Sequence, residues 1–378
     1  ALPNHAVRLH VSLSQRCSDF KADKTTAKEK MQASLIRRLE EPDIEVVNCH
    51  AISLDEQFLA LCANAEEIYI FELVSEQYQR TDAVLAKHSQ RVTGLDWSCH
   101  RRLLSVSEDR TAFVWQQDSD GKWRPSNVEL KAQRAALCAA WSPDGDRFAV
   151  GLSSKDTALC YWHEEVNCWV AMKVGKAKAA ITALAWHPSS QYLATGSTDR
   201  HCVVYDVSMS EEGAGPGFGT PQVTEDAGAW INDIAFSNGN VLAFTCQDAT
   251  VRFKSLVGGR DAPVENIRWR GLPFLRLAFV GRTQLVACGF DYVPVLFLQR
   301  DGAWQVAGKL DLGAAVPSSG PGAARESYDE ARKRFRPTSS GKASTSEHSN
   351  TITSCCPLKD GRFSTSSLDG TVIVWELS

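Results

Sequence analysis

Ser107-Glu-Asp-Arg-Thr-Ala-Phe-Val-Trp115 is the stretch whose reading decides the fold. Asp109 stands six residues before Trp115. The same step separates Asp199 from Tyr205 in Ser-Thr-Asp-Arg-His-Cys-Val-Val-Tyr, and Asp369 from Trp375 in Ser-Leu-Asp-Gly-Thr-Val-Ile-Val-Trp. Asp291 and Phe297 form a looser copy. A second anchor travels with the first: a small or β-branched apolar residue followed five positions later by a ring. Val92 leads to Trp97, Ala136 to Trp141, Ile181 to Trp186 and Ile231 to Phe236. The same register reaches back to Val47 and Ile52, and forward to Phe274 with Phe279 and to Ile352 with Pro357. That makes seven copies, the first six at intervals of 43–50 residues and the seventh after a long interruption.

Between the anchors lie apolar runs such as Arg102-Leu-Leu-Ser-Val-Ser107 and Gln191-Tyr-Leu-Ala-Thr-Gly196. Turn signals separate them, as in Ser-Pro-Asp-Gly at 142–145 and His-Pro-Ser-Ser at 187–190. Four short strands per period of about 44 residues, with an Asp-to-Trp signature, is the WD40 propeller pattern. One such sheet cannot bury both faces alone, and radial stacking buries them. An Asp buried at a strand turn needs hydrogen bonds, and His88, 21 residues before Asp109, fits as its partner. His88, Asp109, Trp115, Asp199, Asp369 and Trp375 are therefore read as structural cement of the blades. The chain ends three strands into its last repeat, and Ser34-Leu-Ile-Arg-Arg-Leu39 reads as the missing fourth. The expected fold is all-β: a seven-bladed WD40 β-propeller over 34–378. Residues 34–40 would close its last blade, 1–33 form an N-terminal extension, and 313–349 form an insert carrying a short protruding helix between blades 6 and 7.

Composition excludes several classes. The 378 residues are 43% hydrophobic and 23% charged, a globular balance. A net charge of −4 provides no global basic field for nucleic acid. No run of 18 apolar residues is present to insert in a membrane, and the polar start lacks the apolar core of a secretory leader. The 12 cysteines include no C-x-x-C pair, so no metal site is expected, and reduced thiols acting as small core hydrophobes account for them. With no N-x-S/T acceptor either, the chain suits a reducing cytoplasmic compartment. It contains no G-x-S-x-G, H-E-x-x-H or phosphate loop. No enzyme and no cofactor are expected.

Three segments interrupt the repeat. Residues 1–33 include the charged stretch Lys21 to Lys30, which suits a solvated tail. Residues 210–229 are rich in Gly and Pro and read as a flexible loop within blade 4. Residues 313–349 begin with Gly, Pro and Ser, then change to Ala323-Ala-Arg-Glu-Ser-Tyr-Asp-Glu-Ala-Arg-Lys-Arg-Phe335, which favours helix. Tyr328, Ala331, Arg332 and Phe335 share one face of it. Arg332, Lys333, Arg334, Arg336 and Lys342 are offset by no acid between 331 and 342. A basic amphipathic helix at a loop tip suits docking into an acidic groove; the same composition also suits an insertion folded back on the ring, or disorder.

Several runs are unusual for generic WD repeats, above all Arg134-Ala-Ala-Leu-Cys-Ala-Ala-Trp-Ser-Pro143 and Gly289-Phe-Asp-Tyr-Val-Pro-Val-Leu-Phe297. With Cys49-His-Ala, Leu95-Asp-Trp-Ser, Ala185-Trp-His-Pro188 and Ala331-Arg-Lys-Arg-Phe335, they resemble the WD-repeat subunit (subunit 1) family of the actin-related protein 2/3 complex. The resemblance covers about residues 40–378; the long N-terminus and the 210–229 loop depart from it. It implies a non-catalytic scaffold that packs against other subunits of that complex in the actin cytoskeleton. It also implies that the insert touches the side of an actin filament and the acidic tails of activators. Tyr328, Arg332, Lys333, Arg334, Phe335 and Arg336 carry that contact, with Phe335 as apolar anchor. The alternative is a WD adaptor of some other multiprotein complex.

Overall fold

A computed structural model describes residues 33–210, 213–257, 262–310 and 347–377. Every regular element among them is a strand. Six consecutive meanders form four-stranded antiparallel blades, beginning with Cys49–Ile52, Phe58–Cys62, Ile68–Val74 and Gln77–Leu85. Blade 7 combines Ile352–Pro357, Arg362–Ser367 and Thr371–Leu377 with Ala33–Glu40, which pairs along its length with the third of them from Ala33↔Leu377 to Glu40↔Thr371. Each innermost strand packs against the next, and that of blade 7 against that of blade 1, so the seven blades form a ring. Blades 2 and 3 are also joined at their outer strands by one parallel bridge, Trp169↔Val128.

The core lies in the seams between blades. Trp97 of blade 2 is buried among Ala51, Ala60 and Ile70 of blade 1, and its indole N–H donates to the Ala51 carbonyl at 3.1 Å. Trp186 repeats this across the next-but-one seam, donating to Ala140 at 3.0 Å. The five-residue step thus places a large ring where two twisted sheets diverge, and at Trp97 and Trp186 its one polar atom finds a carbonyl of the neighbouring blade.

In six blades the innermost strand also carries a bulge after its first residue, as at Val92/Gly94 and Ile181/Ala183. The bulged residue leaves its own ladder, and where it is Thr or Asn it reaches the next blade. Thr93 donates to Ala136, Thr182 to Ile231, Asn232 to Phe274 and Thr353 to Val47, at 2.6–2.9 Å.

The structure changes two readings. Pro221–Asp226, inside the span read as loop, is the outermost strand of blade 4, paired with His201–Asp206. The Gly and Pro of 213–220 hid it, although Val223, its buried residue, alternates with exposed Thr224 and Pro221. Blade 7 resumes by Glu347, within the span read as insert: His348 is fully buried in it.

Candidate functional site

In a meander, the turn between second and third strands lies at the same end as the connection to the next blade. Both sequence-singled groups, the Asp turns and the insert, therefore belong to one end of the propeller. Its turns are built alike. His88 Nε2 lies 2.8 Å from Ser105 Oγ, and Nδ1 lies 3.0 Å from Thr111 Oγ1 and 3.2 Å from Asp109 Oδ2. Trp115 donates its indole N–H to the same Ser105 oxygen at 2.9 Å. Asp109 also accepts from the backbone N–H of Ser89 and Thr111 at 2.8 and 2.9 Å. Burial pulls the His88 pKa down against the opposing pull of Asp109. Burial pushes the Asp109 carboxyl up, but the Thr111 hydroxyl and the two amides outweigh it and hold it below the usual range.

Blade 7 repeats the network. His348 bonds Thr371 and Thr365 at 2.8 and 2.7 Å, and Trp375 donates to Thr365 at 2.8 Å. Asp369 accepts from Ser349 and Thr371 backbone amides, and its pKa is strongly lowered: these bonds and His348 overcome the cost of burial. His348 was missed from sequence, although it precedes Asp369 by the same 21 residues that separate His88 from Asp109. Asp199 of blade 4 accepts from the backbone of Lys178 and His201 at 2.7 and 3.0 Å, with Lys178 where the His would stand. In blade 6 the position is taken by Trp269, whose indole donates to Asp291 at 2.7 Å.

Ser105, His88 and Asp109 have the connectivity of an acyl-transfer triad. Ser105 is 0% exposed, however, and its oxygen is already held by Trp115. A nucleophile must meet a carbonyl carbon, and this one faces the blade interior. The three groups spend their polar atoms on tying the turn to the preceding connection.

The insert residues Tyr328, Arg332, Lys333, Arg334, Phe335 and Arg336 lie outside the described residues, as do 1–32. Both flanks of the insert are anchored. Leu310 is buried, its N–H donating to Pro294 at 2.8 Å. Glu347 pairs with Arg38 of the closing strand at 3.2 Å.

The WD domain, G-beta repeat family matches residues 79–116, 127–163, 171–206 and 341–376. Each of the first three windows joins the outer strand of one blade to the first three of the next, so the sequence repeat straddles the seams. Two curated relatives from Arabidopsis thaliana, actin-related protein 2/3 complex subunits 1B and 1A, are each 33% identical over 362 residues, covering 88% of this chain and 94% of theirs. Subunit 1 of the same complex from Saccharomyces cerevisiae is 28% identical over 392 residues, covering 93% of this chain and 99% of its own. Likeness of that extent shows the family, and the chain belongs to the actin-related protein 2/3 complex subunit 1 family of WD-repeat proteins.

Proposed function

We propose that this protein is a non-catalytic scaffold subunit of an actin-related protein 2/3 complex and supports actin filament nucleation and branching in the cytoplasm. The observation that carries the reading is the match across 94% of subunits bearing that name. The ring packs against other subunits, and the insert between blades 6 and 7 reaches the side of a filament and the acidic tails of activators. Its charge supports this: Arg332, Lys333, Arg334 and Arg336 stand together, with no acid between 331 and 342. Phe335 anchors the contact, and the cations flank it.

The test is branching by reconstituted complex. Deleting 318–346 leaves assembly intact and lowers branch density. Phe335→Ala reproduces much of that loss, because an aromatic anchor at an interface centre is worth about 2 kcal/mol or more. Reversing Arg332 and Lys333 to Glu weakens branching less as salt approaches about 0.5 M, where exposed charges are screened. Normal branch density in both the deletion and Phe335→Ala would show the insert to be passive.

A further inference from the structure

The scaffold reading makes no use of sulfur chemistry, yet one pair of cysteines is placed for it. Most described cysteines face another residue type across their ladder, as Cys160 faces Phe148 and Ala171, and Cys246 faces Ile231. Blade 1 differs. Cys49 of its innermost strand stands directly opposite Cys62 of the second. Among the described ladders this is the one place where two cysteines are paired.

Opposite residues of an antiparallel pair share a face of the sheet, with Cα atoms about 4.5–5.5 Å apart. A disulfide spans Cα separations of about 4.4–6.8 Å. The Asn48 N–H donates to the Cys62 carbonyl at 2.9 Å and holds the two strands together at this level. Both side chains are buried, Cys49 7% and Cys62 0% exposed, in the core cluster that Val92 and Trp97 of blade 2 complete. The hydrogen bond between the two sulfurs raises the Cys49 thiol well above its ordinary value and lowers that of Cys62. Cys62 is therefore the first to ionise, and the thiolate is the attacking form.

Cys49 also sits between the two side chains that tie its strand into the ring. Asn48 Nδ2 donates to the Val92 carbonyl of blade 2 at 2.8 Å. His50 meets Ser366 and Ser364 of blade 7, each at 2.8 Å. A covalent bond at Cys49 pins the strand that makes both seams, including the one where the ring closes.

We propose that Cys49 and Cys62 form a peroxide-driven thiol lock, a reversible disulfide that stiffens blade 1 beside the closing seam. The Cys62 thiolate attacks one oxygen of hydrogen peroxide. The O–O bond breaks, water leaves with the thiol proton, and Cys62 becomes a sulfenic acid. The Cys49 sulfur then attacks the Cys62 sulfur. The S–S bond forms as the S–O bond breaks, and the Cys49 proton leaves with the hydroxide as a second water. Two electrons pass from the two thiols to one peroxide. A small thiol such as glutathione returns both cysteines by exchange. The bond closes the hairpin over 50–61, which restricts the unfolded chain and favours the fold.

The test treats the reduced full-length chain with hydrogen peroxide, blocks the remaining thiols with iodoacetamide and maps the non-reduced peptides by mass spectrometry. The expected result is a Cys49–Cys62 crosslink with Cys160 still a thiol. The melting temperature rises by a few degrees, and dithiothreitol reverses the rise. Cys49→Ala and Cys62→Ala each abolish both the crosslink and the shift. Cys356→Ala keeps both, although the Cys356 Sγ lies 3.4 Å from the His50 carbonyl. Should an alanine variant fold poorly, the crosslink and its reversible shift in the parent chain decide alone. Alkylation of both thiols after peroxide overturns the proposal, as does a Cys49–Cys356 crosslink in place of the expected one. A crosslink that leaves the melting temperature unchanged or lower also overturns it. Oxidation of Cys160 along with the pair does the same, since peroxide would then be acting on an opened chain.

Discussion

Thr93, Thr182, Asn232 and Thr353 do work that their polarity alone does not announce. Each stands at a bulge of an innermost strand and donates to a backbone carbonyl of the neighbouring blade. Thr182→Val keeps the shape and removes the donor, leaving the Ile231 carbonyl unpaired in a buried seam. The expected loss is about 1–2 kcal/mol, read as a lower urea midpoint with an unchanged slope. Buried acids at the same seams add a pH dependence. Asp96 accepts from Trp141 N–H at 2.6 Å and from Trp97 N–H at 3.0 Å. Burial dominates those bonds and pushes its pKa up to about 7, from an ordinary value near 3.8. A folded-state pKa above the unfolded one means that protonation favours the fold. The contribution is full below pH about 3.8 and is lost as pH rises through about 7. Asp96→Asn removes that loss, so its stability relative to the parent should rise between pH 5 and pH 8 in urea titrations. His50 works in the opposite sense: burial lowers its pKa to about 3, so the fold weakens as pH falls from about 6.5 toward 3. The comparison with the parent at each pH cancels that term.

Among elements, the closing strand Ala33–Glu40 carries the heaviest duty. It supplies the fourth strand of blade 7 from the opposite end of the chain, and a buried ion cluster locks it. Arg37, 8% exposed, reaches Glu56 of blade 1 at 3.4 Å and Glu76 at 2.9 Å, while Arg362 of blade 7 meets Glu56 at 2.8 Å. One buried carboxylate thus joins the closing strand, blade 7 and blade 1. Glu56→Ala leaves Arg37 held by Glu76 alone and takes from Arg362 its close carboxylate, and should cost up to about 3 kcal/mol, by the rule that breaking a buried pair from one side is worse than lacking it. Deleting 33–40 exposes the edge of Thr371–Leu377 and the seam beneath it. The ring should then melt well below the parent temperature in calorimetry. Cooperative melting at the parent temperature would show that closure contributes nothing.

At the scale of the molecule, the ring and its insert should be separable. The insert leaves after buried Leu310 and returns at Glu347, which Arg38 holds, so both ends are fixed by the blades themselves. Loop-closure entropy depends only weakly on length. Removing 318–346 should therefore move the melting temperature of the propeller by no more than a few degrees, even where it abolishes branching. A large drop would mean that the insert packs on the ring and acts as part of the fold.

The ring was legible in the sequence because its signals are local and repeated. A five-residue step to an aromatic and a six-residue step from Asp to a ring follow from strand length and turn geometry, which seven copies share. The same logic pointed to the pairing of His88 with Asp109. His348 was equally legible by spacing and was passed over because its polar neighbours read as linker. The fourth strand of blade 4 was lost for a similar reason: Gly and Pro set the composition of the window, while the one buried residue, Val223, set its structure. Other features could be decided only by tertiary structure. The Glu56 clasp joins residues from both ends of the chain. Local sequence determines which strands and turns form, because their hydrogen bonds and periodicity lie within a few residues. Which charges are buried together or left facing solvent depends on the closed ring, where distant segments share one low-dielectric seam or one exposed end.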